Sequence, residues 1–196
     1  MLTKAEKTKQ FILHTAAPIY NQKGISGVSI DDVLAATKLT KGCLYSHFEN
    51  KEDLTNQVVD LLLKKISDQM RLEVAKGKTV KGKLFNFLDF YKDPIQTFVP
   101  GGCPIINTAA EADDNFPLIK EKVASVFRAG QEDLTNLLKQ GIQDGEFSKE
   151  LEPSVIAFKI VAAVEGGIVM CRVMNSTKPM VSLIKNLKAE LEQYSN

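Results

Sequence analysis

The chain has 196 residues, 44% hydrophobic and 25% charged, which is enough for a sizeable core in one domain or two small ones. Net charge is +1, so no global basic excess announces nucleic acid. Three cysteines (Cys43, Cys103, Cys171) and two histidines (His14, His47) are too few and too scattered for a disulfide scaffold or a zinc site, and no cofactor or metal is expected. The first residues lack the apolar run of a signal peptide, and no uncharged apolar stretch of roughly 20 residues occurs. No membrane span is therefore expected, and a reducing cytoplasm is the expected location.

Residues Thr3 to Lys23 carry the period of a first helix, with Phe11, Ile12, Ala16, Ile19 and Tyr20 as its inner stripe and Gly24 as its end. Pro18 falls inside this pattern and predicts a kink, since it removes a hydrogen bond to the His14 carbonyl. Ser29 with Asp32 three residues on forms a capping box, so a second helix starts at Ile30 and runs out near Thr37. Lys38-Leu39 allows only a turn, and Thr40 caps a third helix in which Leu44 and Phe48, four apart, point inward together. Lys41 and Tyr45, with Ser46 and His47 from the flank, are left facing out.

Two short helices joined by a tight turn, the second with a polar outer face, form the pattern of a helix-turn-helix. Lysine, phenol, hydroxyl and imidazole groups all bond phosphate oxygens, and Gly42 lets backbone come close to a duplex. None of the three arginines (Arg71, Arg128, Arg172) lies here, so lysine has to serve if guanine is read.

Asn50 caps a fourth helix, with Glu52 and Asp53 in its first turn and Leu54, Val58, Leu61, Leu62, Ile66 and Met70 as its apolar stripe to about Ala75. The polar run Lys76 to Lys83 is the candidate boundary. Beyond it, further helices are marked by Leu84, Phe87, Leu88 and Tyr91, by a short stretch after Cys103-Pro104, and by a long one from Pro117 to Ile142. Two more run from Ile156 to Met174 and from Pro179 to Leu191. No β-alternating run, internal repeat or low-complexity tract occurs. The expectation is all-α, about nine helices, an N-terminal three-helix helix-turn-helix unit plus a larger C-terminal helical bundle.

The run Thr40-Lys41-Gly42-x-Leu44-Tyr45-x-His47-Phe48-x-x-Lys51-Glu52-x-Leu54 resembles the recognition-helix signature of the TetR family of transcriptional regulators. Departures are Leu34, where the family usually has alanine, and Thr37-Lys38, where it usually has Ala-Gly before the turn. A non-glycine residue at a turn position needing positive φ is strained. The resemblance implies a helix-turn-helix DNA-binding domain over residues 1–49, a connecting helix over 50–76, and a ligand-binding and dimerisation domain over 77–196. It further implies a repressor that binds a palindromic operator as a homodimer and is released by a small-molecule effector; the competing reading, an enzyme, is not expected, because the sequence has no Ser-His-Asp set, no phosphate-binding glycine loop and no metal cluster. The implied partners are double-stranded operator DNA, that unidentified effector and a second copy of the chain.

By the same resemblance Thr40, Lys41, Gly42, Cys43, Tyr45, Ser46, His47 and Lys51 are the DNA contacts. Tyr45, His47 and Lys51 hold the backbone, while Lys41, Gly42, Cys43 and Ser46 face bases. Phe87, Phe90, Tyr91, Phe98, Cys103, Asn107, Glu111, Phe127 and Val164 are candidate ligand-pocket residues, with Asn107 and Glu111, four apart on one helical face, as its polar feature. The segment Ile156 to Met174 is apolar nearly all round, as suits a helix buried on two sides, one of them a second subunit. Glu165 within it is either paired internally or faces a cavity.

Gly101-Gly102-Cys103-Pro104 puts a thiol at a helix start, where the dipole favours the thiolate. Some TetR relatives with a similar Gly-Cys followed by Asn-x-x-x-Glu sense electrophiles or oxidants, which makes an electrophile sensor the first alternative; the other reading of Cys103 is a small buried hydrophobe. A helical adaptor whose helix-turn-helix no longer binds DNA is a further alternative.

Overall fold

The computed structural model describes residues 2–196. Among the described residues there are nine helices and no extended strand, as the all-α reading expects. In chain order they are α1 (Lys4–Gly27), α2 (Ile30–Thr37), α3 (Lys41–Tyr45), α4 (Lys51–Ala75) and α5 (Val80–Phe90). Next come α6 (Pro104–Asn115), α7 (Pro117–Gln143), α8 (Pro153–Val173) and α9 (Lys178–Gln193).

The chain divides into two compact units, and neither is continuous in sequence. The first takes residues up to Ile66 together with Phe98–Val123, and the second takes Ser67–Thr97 and Ala124–Asn196. The segment 98–123, which sequence places in the C-terminal domain, therefore clusters with the N-terminal helices.

In the first unit, α1 starts on a capping box: the Glu6 backbone N–H donates to Thr3 Oγ1 at 3.2 Å and the Glu6 carboxylate accepts the Thr3 N–H at 2.7 Å. Its buried stripe is Ile12, Leu13, Ala16, Ala17 and Tyr20. Phe11, expected inside, is 49% exposed, because a stripe built on Ile12, Ala16 and Tyr20 leaves the preceding position about 100° off the core direction. Pro18, where a kink is expected, keeps helical backbone. The residue in α1 with non-helical backbone is Gly24, at φ 78° and ψ 170°.

The second capping box forms as expected, with the Asp32 N–H on Ser29 Oγ at 3.1 Å and the Ser29 N–H on Asp32 Oδ2 at 2.9 Å. A Lys23–Asp32 ion pair joins α1 to α2. These contacts, the Lys23 bond foremost and then the Ser29 N–H and hydroxyl, hold the Asp32 carboxyl far below the usual carboxylate range. Val33, Leu44, Phe48, Leu54 and Val58 close the core beneath the three short elements, each 2% exposed or less. Burying one such side chain is worth about 1.5–3 kcal/mol.

In the second unit α5 begins at Val80, inside the polar run expected to mark the boundary. The reason is capping. Thr79 Oγ1 accepts from the Gly82 N–H at 3.0 Å, and the Glu146 carboxylate accepts the N–H groups of Val80 (2.8 Å) and Lys81 (2.9 Å). The unit's core draws on Leu84, Phe87 and Leu88 of α5, Leu134 and Leu138 of α7, Ile160, Val164 and Ile168 of α8, and Met180, Ile184 and Leu187 of α9. Helix α9 packs on α8 and on α5, the latter contact edged by Lys188 on Asp89 (2.7 Å) and Lys81 on Glu192 (3.0 Å).

Helix α8 is long and apolar enough to cross a membrane by length and composition. In the structure its Ile156, Ala157, Ile160, Val164, Ile168 and Cys171 are core residues, and its Lys159 pairs with Glu190 of α9, which is the behaviour of a core helix. Glu165, on the same helix, is buried at 8% exposure.

Candidate nucleic-acid interface

The outward face of the helix-turn-helix is built by local bonds. Helix α2 ends with Lys38 in the left-handed region, φ 57° and ψ 27°, its N–H bonded to the Leu34 carbonyl at 2.8 Å. This is the positive-φ turn position that glycine would occupy without strain, and lysine there costs roughly 1–2 kcal/mol. Three residues turn the chain and Thr40 caps α3, accepting the Cys43 N–H at 3.2 Å. The first turn of α4 is set by Asn50, whose Oδ1 accepts the Asp53 N–H at 2.8 Å.

Leu44 is fully buried and Phe48 nearly so, which fixes the rotation of α3 about its axis. That rotation leaves Thr40, Lys41, Gly42, Tyr45 and Ser46 exposed, with Cys43 and His47 half-buried. A side chain built at Gly42 would meet nothing within 4 Å, so the backbone there is open to a close approach. The Ser46 hydroxyl donates to the Cys43 carbonyl at 2.7 Å, which leaves its oxygen able to accept from outside. Lys51 is exposed at the start of α4. Lys38, Lys41 and Lys51 form no ion pair among the described residues. All eight residues expected at DNA thus lie on one short segment and the turn after it, with uncommitted cationic groups at both ends. The arrangement can grip phosphates and place a short polar helix in a groove about 12 Å wide.

The nine expected ligand residues do not share one setting. In the second unit Phe87, Phe90 and Tyr91 form an edge-to-face aromatic cluster, with ring centroids 5.4 Å apart for Phe87–Tyr91 and 5.0 Å for Phe90–Tyr91. Val164 is 2% exposed and Phe127 half-buried in that same unit. In the first unit Phe98 is 53% exposed, with Lys65 Nζ 6.0 Å from its ring centre. Cys103, 4% exposed, is the residue before the first turn of α6.

Asn107 and Glu111 are both committed to α1. Glu111 accepts the Ile25 N–H at 2.9 Å and the Ser26 N–H at 3.0 Å. Asn107 Nδ2 donates to the Asn21 carbonyl (3.1 Å), to Asn21 Oδ1 (3.1 Å) and to the Gly101 carbonyl (3.0 Å). Asn21, 5% exposed, returns two bonds to the Pro100 and Gly102 carbonyls at 2.9 and 3.0 Å. Asn21 is a member of this cluster that sequence reasoning missed; the one available signal was an amide in the otherwise apolar stripe of α1.

Residues 12–58 match the family model described as bacterial regulatory proteins, tetR family, and residues 81–187 match the tetracyclin repressor-like C-terminal domain. A TetR transcriptional regulator from Chloroflexus aurantiacus J-10-FL superposes with a TM-score of 0.94 at 31% identity, covering 99% of this chain and 98% of that one. A TetR-family regulator from Cytophaga hutchinsonii gives 0.90 at 30% identity, over 100% and 98%. Among curated proteins, the HTH-type transcriptional repressor DhaR of Mycobacterium sp. (strain GP1) is 22% identical over 174 residues, 88% of this chain and 86% of its own length.

Proposed function

We propose, from the premise that this chain belongs to the TetR family of DNA-binding transcriptional regulators, that it is a homodimeric repressor of a palindromic operator, released by a small effector. The observation that carries the reading is the outward face of α3, polar and unobstructed from Thr40 to His47 over a fully buried Leu44. Lys41, Gly42, Cys43 and Ser46 are assigned to base edges; Thr40, Tyr45, His47 and Lys51 are assigned to the sugar-phosphate backbone. Titration on operator and on random DNA separates the two sets. Lys51→Ala should weaken both and lower the salt slope by about 1. Lys41→Ala should also change the preferred base. Equal losses on both DNAs from the two variants would defeat the division. A mobility shift on the DNA upstream of the chain's own gene tests the repressor reading itself; no preference over random DNA at moderate salt would overturn it.

Dimerisation is supported by an exposed apolar stripe on α8. Val155, Phe158, Val169, Met170, Val173 and Met174 are 44–82% exposed, and Ala162 and Gly166 fill the helical spacing between them. Nothing stands within 4 Å of a side chain built at Gly166, so a partner helix can approach closely there. Two recognition helices then meet successive major grooves when they lie roughly 34–36 Å apart. An effector that prefers another spacing lowers operator affinity by as much as its differential affinity for the two states. Phe87, Phe90, Tyr91, Phe127 and Val164, all in the second unit, are the candidates to hold it.

A second reading, a thiol-based electrophile sensor, is favoured by one placement. Cys103 follows two positive-φ glycines, Gly101 and Gly102, and opens the helix that is bonded to α1. An adduct on a thiol only 4% exposed has to displace the start of α6. In a Cys43→Ser background, which removes the thiol on the DNA-facing helix, N-ethylmaleimide should then release DNA from the chain that keeps Cys103 but not from the one that also carries Cys103→Ser; equal release from both would end this reading.

A further inference from the structure

In an unbroken α1 the Asn21 carbonyl would accept the Ile25 N–H, and the Gln22 carbonyl the Ser26 N–H. Gly24, at φ 78°, interrupts the helix and frees these groups. Each of three is then taken up by α6: Asn107 donates to the Asn21 carbonyl, and the Glu111 carboxylate accepts both N–H groups. One turn of α6, with donor and acceptor four residues apart, thus stands in for the hydrogen bonds that α1 lacks across its break. Fit at the break is close. A Cβ on Gly24 would lie 2.0 Å from Glu111 Oε1, so no other residue is accommodated there without moving Glu111.

The segment beyond the break is short. The turn Ile25–Gly27 leads through Val28 directly to Ser29, the cap of α2. The direction in which α2 leaves α1, and with it the placement of α3, is therefore set at a joint whose freed backbone donors are held by a side chain 85 and 86 residues away in sequence. A carboxylate on two N–H groups makes charge-assisted bonds, stronger than neutral ones and more directional than packing.

We propose that Glu111 and Asn107 are positioning residues for operator binding: by stitching the broken end of α1 they hold the helix-turn-helix in its DNA-competent orientation without touching DNA. This rests on the operator-binding reading above, and the test separates the two.

Amide exchange of Ile25, Ser26 and the residues of α2 is measured without DNA in the full chain, for wild type and Glu111→Gln. A glutamine keeps the size of the side chain but turns one acceptor into a donor that faces a donor. At least 10-fold faster exchange at Ile25 and Ser26, spreading into α2, is expected. Affinity for the selected operator should fall about 10-fold, while affinity for random DNA and the salt slope stay unchanged. Glu111→Asp, which keeps the charge, should restore part of the operator affinity. Should Glu111→Gln lose its helical circular dichroism, Asn107→Ala, which frees the Asn21 carbonyl, serves as the second variant, with faster exchange in α2 and the operator-selective loss expected of it.

Unchanged exchange, acceleration confined to the two amides, or equal losses on operator and random DNA would each overturn the positioning role. If the wild type itself selects no operator, the repressor reading falls, and the spread of exchange into α2 still decides whether α6 holds the joint.

Discussion

In the first unit the Glu111 carboxylate takes the N–H groups of Ile25 and Ser26; in the second, the Glu146 carboxylate takes those of Val80 and Lys81. Both glutamates reach across more than 60 residues of sequence, and both satisfy a pair of backbone donors that begin a helical segment. The difference lies in what they hold. Glu146 supports the start of an 11-residue helix that also has its own cap in Thr79. Glu111 supports a three-residue turn between a break and the next cap, with no helix of its own to lean on. The same bond pair is thus a local stabiliser in one unit and a joint in the other.

Core truncation should produce the largest contrast. Phe48→Ala should cost about 3–5 kcal/mol and abolish operator binding, because the ring fixes the rotation of α3. Leu138→Ala in the second unit should cost about 2–5 kcal/mol. Urea unfolding with operator titration alongside checks both, and an unaltered midpoint for Phe48→Ala would contradict the packing described. Next in size, Phe158→Asp or Val173→Asp should shift the chain from dimer to monomer in sedimentation, with its helical signal retained; a persisting dimer would remove the α8 stripe from the interface.

Glu146→Gln should cost about 1 kcal/mol and leave operator affinity intact, unlike Glu111→Gln. The effect should depend on pH. Burial works to raise the Glu146 pKa, but the N–H groups of Lys81 and Val80 outweigh it, so its folded pKa lies below the ordinary value. The stabilisation is therefore present above the usual glutamate range and lost as pH falls through the folded pKa. The Tm gap between wild type and Glu146→Gln should close on acidification; a gap constant from pH 7 to pH 2 would refute it. Smallest of all, Lys38→Gly should raise stability by up to about 1 kcal/mol through relief of the left-handed backbone. A drop in the unfolding midpoint would show that the lysine side chain repays its strain.

Caps and turns were legible because their partners lie three or four residues apart. Ser29 with Asp32, Thr40 with Cys43 and Asn50 with Asp53 all bond as the sequence implies, and α2 spans the residues expected of it. Leu44 and Phe48 share a face by spacing alone and are both buried. Legibility fails where the partner is distant. The four-residue spacing of Asn107 and Glu111 shows one shared face but not that α1 lies opposite it, so they read as polar groups awaiting a ligand. Gly24, expected to end the first helix, does carry its non-helical backbone, but nothing local shows that a glutamate from α6 occupies the space of a side chain there. The lysine-rich run at 76–83 marks a change of composition, whereas the grouping of 98–123 with the N-terminal helices comes from contacts no local pattern encodes.

That grouping bears on how the chain comes into being. A nascent chain released to about residue 75 already holds all three N-terminal helices, but the carboxylate that closes the Gly24 joint is still inside the ribosome. At about 5–20 residues per second, the wait for α6 lasts roughly 2–8 s. During that interval the DNA-reading end exists with an open seam, so a fragment cut at the end of α4 should be a poor stand-in for the native head. Domain exchanges that graft only the first 75 residues onto another regulator would need α6 carried along with them.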